Sequence, residues 1–168
     1  KNLKGFKHNK QAFYLMIKST IQAKRIIKEF KPDPIMDVEV KAGFNASGSS
    51  PAQGDELTLI SWNIGYAGLG KDSDFFMDGG ENVAYADEEL VNANLVGISN
   101  TLFELNKADI YMLQEVDQNS SRTYGIDESV ALGNYNSTYA LNYSCPFVPF
   151  PLPPIGKVNS GLLTTTDF

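Results

Sequence analysis

Hydrophobic and polar positions change period several times along this chain, and each change predicts a different element. Residues 10–30 (KQAFYLMIKSTIQAKRIIKEF) place Phe13, Ile17, Ile21 and the pair Ile26/Ile27 near one face, with Lys18, Lys24, Arg25 and Lys28 largely elsewhere. This is a basic amphipathic helix, ended by Pro32 and Pro34. Residues 37–40 suit a short edge strand. Residues 45–56 (NASGSSPAQGDE) are rich in Ser, Gly and Pro, a linker composition. Residues 57–64 (LTLISWNI) are almost continuously apolar and β-prone, predicting a strand covered on both faces.

A glycine-punctuated loop follows over 65–86. Asp87 is then placed to cap a helix, with Glu88 and Glu89 in its first turn. Val91, Leu95, Ile98, Leu102 and Leu105 repeat at helical spacing, and Lys107 suits the last turn. Residues 109–116 (DIYMLQEV) form a second buried-type strand. Strand, helix, strand predicts a crossover unit with parallel, adjacent strands. Residues 117–138 read as loop with short ordered pieces and 139–143 as a strand. Pro146, Pro149, Pro151, Pro153 and Pro154 mark an extended loop unsuited to a sheet centre. Residues 160–166 (SGLLTTT) predict a closing strand. The expected organisation is a basic helical arm (1–44), a linker (45–56) and a main α/β domain (57–168).

Charge sharpens that division. The 168 residues carry a net charge of −6, yet residues 1–31 hold nine Lys/Arg against one acid, Glu29. The acidic remainder is a poor general polyanion binder, and a bound cation would offset its repulsion for phosphates. The commoner reading of the arm is a solvated helix packed on its own domain or a neighbour. Peripheral contact of residues 10–30 with an anionic membrane is the other. Cys145 is the single cysteine, so no internal disulfide forms. No signal-peptide pattern and no apolar run of membrane-spanning length is present. No obligate protein partner is implied. His8, the only histidine, lies in the arm, which leaves the main domain without a histidine base.

Two polar residues stand out against apolar strands. Asn63 closes the first, just before the glycine-rich loop, where a carboxamide either caps the next turn or points into a cleft. Glu115 follows the apolar stretch 110–113, where an uncompensated carboxylate is expensive. A hard cation such as Mg²⁺ would neutralise it, and in a parallel pair both side chains would leave the same sheet edge. Two patterns are decoys. Gly65-x-x-Gly68-x-Gly70 has the wrong glycine order for a dinucleotide loop, and Asp72-x-Asp74 begins like a calcium loop but places Phe76 at a ligand position. Four N-x-S/T sequons, at Asn45, Asn119, Asn136 and Asn142, matter only in a glycosylating secretory pathway.

Taken together, LTLISWNIGYAGLG, ADIYMLQEVD and NSGLLTTTDF resemble, in order, three landmarks of the endonuclease/exonuclease/phosphatase superfamily, which has the deoxyribonuclease-I-like fold. The detail is similar to a Firmicutes-type bacterial subgroup. The resemblance covers residues 56–168 and implies the N-terminal half of a four-layer α/β-sandwich. It implies that Glu115 is a ligand of Mg²⁺ (Mn²⁺ as a substitute), that Asn63 helps organise the metal and phosphate site, and that Arg122 contacts a substrate phosphate. The family's later Asp-x-Asn and Ser-Asp-His elements have no counterpart here, and Thr164 or Thr165 stands where its Gly-x-x-x-Leu-Ser element usually has Ser. The implied activity is phosphoester hydrolysis of a nucleic acid, a lipid headgroup or a small phosphate ester, with this segment alone inactive. The alternative is a noncatalytic binding module on the same sandwich.

Overall fold

The computed structural model describes residues 30–71, 86–105, 107–149 and 153–168. The basic helix expected at 10–30 and the Asp72-x-Asp74 pattern therefore lie outside the described residues. The chain divides into two compact units, Lys1–Lys31 and Pro32–Phe168.

The second unit is a mixed α/β structure built on one five-stranded sheet. In chain order its elements are β1 (Val40–Lys41), β2 (Leu59–Asn63), α1 (Glu88–Ser99), β3 (Ile110–Asp117), α2 (Glu128–Ala131), β4 (Asn136–Val148) and β5 (Gly156–Thr166). The spatial order is β1-β4-β5-β3-β2. Among the described strands only β2 and β3 run parallel, in the expected crossover, with Asn63 opposite Gln114. All other pairings are antiparallel.

Helix α1 starts as its sequence dictates, with the Asp87 carboxylate accepting the Leu90 N–H at 2.8 Å. It continues into a π-helical stretch, Asn100–Leu105, so Lys107 falls beyond it rather than in its last turn. Val91, Leu95, Ile98 and Leu102 are buried against Tyr111, Leu113, Val116 and Leu163. Phe103, Tyr111 and Tyr135 close the core, with the two tyrosine rings stacked 6.2 Å apart.

Several boundaries differ from the sequence reading. The edge strand sits at Val40–Lys41 instead of 37–40. β4 runs well beyond 139–143 and includes Pro146. That proline falls where pairing with β5 shifts between Cys145 and Val148, and β1 pairs only with Ser137 and Thr138, so no neighbour needs its missing N–H. Among the described residues no helix is long and apolar enough to cross a membrane.

The expectation of cover on both faces is met on one face of β3 and on neither face of β2, where Ile60 is half-buried and Leu59, Ser61, Trp62 and Asn63 are exposed. Tyr111 and Leu113 face the helix, whereas Met112, Leu59 and Leu162 remain 42%, 55% and 42% exposed.

Candidate functional site

The two polar residues that interrupt apolar strands meet. Asn63 Nδ2 donates to Glu115 Oε1 at 2.9 Å, and Asn63 Oδ1 accepts the Gly65 N–H at 2.9 Å. The second bond fixes which way the carboxamide points, so its nitrogen faces the carboxylate. Parallel pairing of β2 with β3 brings both residues to the carboxyl ends of adjacent strands.

Glu115 reaches that position through a β-bulge. Up to Gln114, β3 alternates, with Tyr111 and Leu113 on the helix-covered face and Met112 and Gln114 on the other. Strict alternation would place Glu115 in the core. The register with β5 instead shifts between Gln114 and Val116, making Glu115 the extra residue. Val116 takes the core place opposite Gly161 and is fully buried. Glu115 adopts φ +55°, a left-handed conformation that costs a side-chain-bearing residue roughly 1–2 kcal/mol. Bulges re-aim side chains in this way next to functional sites.

The backbone after Asn63 is also unusual. Gly65, Tyr66 and Ala67 all have positive φ, at 55°, 44° and 49°. The turn is held by Gly68 N–H on Gly65 O and by Asn94 Nδ2, which donates to Ala67 O at 2.9 Å. It carries the buried Tyr66 ring beneath Arg122, whose guanidinium carbon lies 3.6 Å from the ring centroid.

Arg122 closes its fork on Asp117. Nε and Nη2 donate to Oδ2 and Oδ1 at 2.7 and 2.9 Å. Desolvation works against the guanidinium charge, but the hydrogen bonds and attraction of Asp117 outweigh it and leave the Arg122 pKa above its ordinary value. The ends of β2 and β3 are thus tied a second time, through Tyr66, Arg122 and Asp117.

A cleft of about 530 Å³ opens beside the Asn63–Glu115 pair, bounded by Trp62 on β2 and by Ala93, Asn94 and Gly97 on α1. Asn63 and Glu115 line it and Arg122 does not. The sequence-predicted residues therefore separate into a joined pair at the cleft and an arginine held in an ion pair behind it. Among the described residues no group of three or more His, Cys, Asp or Glu is placed to hold a metal. One carboxylate steadied by an amide fits a hard cation that keeps most of its waters.

Behind the site lies an acid that the sequence reading did not single out. Glu128 is fully buried, its Oε2 accepts the Asp117 N–H at 2.7 Å, and its Oε1 has no hydrogen-bond partner among the described residues. Burial, with Asp117 close by, pushes its pKa up to about 8. No sequence signal marks it, because an acid one residue after the cap Asp127 of a short helix is ordinarily solvated.

No family model, curated protein or solved structure matches this chain.

Proposed function

We propose that this chain carries the N-terminal half of a Mg²⁺-dependent phosphoesterase domain of the endonuclease/exonuclease/phosphatase superfamily, a four-layer sandwich in its complete form. The observation that carries the reading is the Asn63–Glu115 contact at the carboxyl ends of two parallel strands. A strained bulge that moves a carboxylate out of the core and onto a carboxamide is costly to maintain without a role for the carboxylate.

Glu115 is the metal carboxylate, with Oε2 left for the ion. Asn63 orients Glu115 through its nitrogen, since its oxygen holds the Gly65 N–H. A divalent ion bound here supplies charge stabilisation at the phosphoryl group and the leaving oxygen. Arg122 acts from behind as a strut, with its Nε and Nη2 held by Asp117. His8, the only histidine, belongs to the arm, so the main domain has no imidazole of its own for the attacking water. It should bind the ion without turning over a phosphoester.

Titration of the chain with Mn²⁺, followed by the loss of the free-ion electron paramagnetic resonance signal, tests the reading. Glu115→Gln should abolish specific binding, and Asn63→Ala should weaken it about tenfold, the lower end for a residue that orients a ligand. Binding that Glu115→Gln leaves unchanged would remove the basis for the assignment. Absence of binding at millimolar Mn²⁺ would do the same.

A further inference from the structure

A bulge with a left-handed non-glycine residue holds its shape only if the surrounding structure over-determines it. The ladder does not do this at Glu115, because the extra residue is the one left unpaired. Val116 and Asp117 return to the ladder opposite Gly161 and Ser160, and side chains from other elements add a second hold on the peptide between them.

The Val116–Asp117 peptide is gripped at both ends by side chains from two other elements. The Tyr139 hydroxyl, from β4, donates to Val116 O at 3.0 Å. The Glu128 carboxyl, from α2, accepts Asp117 N–H at 2.7 Å. Tyr139 reaches Val116 only by crossing β5, which lies between β4 and β3. It crosses at Gly161, opposite Val116, where a Cβ would stand 2.6 Å from the Tyr139 ring carbon Cζ and 2.7 Å from its hydroxyl. The missing side chain at Gly161 leaves room there for the tyrosine, as it does for the neighbouring Ala140 carbonyl.

We propose that Tyr139 and Glu128 are positioning residues for Glu115, clamping the Val116–Asp117 peptide so that the bulge presents the carboxylate to Asn63. The geometric part stands on its own, and the consequence for metal binding rests on the function proposed above. The clamp donor is dependable, since burial raises the Tyr139 phenol well above its ordinary pKa and keeps it protonated. The charged groups acting on Glu128 are Asp117, Arg122 and Asp127. Together with burial they leave its carboxyl protonated at neutral pH, so glutamine is a close mimic.

The test uses the 168-residue chain as wild type, Tyr139→Phe, Glu128→Ala and Glu128→Gln, with two readouts. The first is the NMR resonance of the Asn63 side-chain amide, which reports its bond to Glu115 without any metal. The second is Mn²⁺ affinity. Tyr139→Phe and Glu128→Ala should each shift the Asn63 amide resonance and weaken Mn²⁺ binding about tenfold. Glu128→Gln should restore both, because its carboxamide oxygen accepts the same N–H.

Folded variants with wild-type Asn63 resonances would overturn the proposal. So would a glutamine variant that behaves like the alanine one. Should Glu128→Ala fail to fold, Tyr139→Phe decides, since it removes one oxygen and leaves the ring in place. If wild type takes up no Mn²⁺ while the Asn63 resonance still moves in the variants, the metal reading fails and the clamp stands.

Discussion

Glu128 shows how one buried group can set a property of the folded state. The unfolded chain releases its proton near the ordinary value of 4.5, and the folded chain holds it up to about pH 8. Between those limits the folded state binds more protons, so its stability falls as pH rises. The loss is at most about 1.4 kcal/mol per pH unit from this group, on the order of a few kcal/mol across the window. Urea unfolding at pH 5, 6, 7 and 8 should show the decline in wild type and a flatter profile in Glu128→Gln. Identical slopes in the two proteins would remove the buried-acid interpretation. Asn63 and Glu115 were legible in the sequence because each is a polar residue that follows an apolar stretch of its strand. Glu128, Tyr139 and Gly161 were not. Their roles depend on one peptide group of β3 reached from two other elements, and no local pattern encodes that meeting.

Among the elements, the parallel β2–β3 pair and α1 followed from periodicity and an N-cap. The bulge did not, because alternation assigns Glu115 to the core and only the register with β5 reveals the extra residue. Pro146 likewise hid the full extent of β4, since a proline argues against a strand until its side of the ladder is known to lack a partner. The tie between the ends of β2 and β3 was also hidden. It depends on the positive-φ turn that brings Tyr66 to Arg122. Removing the arginine would leave Asp117, which is fully buried, without its counter-charge and beside a second buried acid. Arg122→Ala should therefore destabilise the chain by about 3–5 kcal/mol, the range for breaking a buried pair. Arg122→Ala combined with Asp117→Asn should recover part of that loss. Chemical denaturation of the two singles and the double measures the coupling. Additive losses in the double variant would show that the two side chains do not act as a unit.

At the scale of the molecule, the nearly continuous apolar run at 57–64 and the apolar stretch at 110–113 asked for cover on two faces, and α1 covers one face of β3. The opposite face presents Leu59, Met112 and Leu162 on three neighbouring strands, β2, β3 and β5, each 42% exposed or more. These side chains alternate with the buried set, so their exposure follows from the same register that builds the core. Each Leu or Met that such a face buries against another surface gains about 1.5–3 kcal/mol. Large apolar side chains exposed together on one face favour association unless something covers them. The chain should therefore self-associate with rising concentration in sedimentation velocity. Met112→Thr with Leu162→Thr should weaken that association by at least about tenfold, since about 1.4 kcal/mol suffices for a factor of ten. Threonine keeps the strand preference and matches Thr164 and Thr166 on the same face, so the fold should survive the change. The Asn63–Glu115 contact lies at the strand ends and involves neither position, so Mn²⁺ affinity should stay at the wild-type value. A chain that is monomeric at every concentration, or a double variant that associates as strongly as wild type, would show that this face is stable in water as it stands. The two apolar runs would then need another physical explanation than cover on both sides.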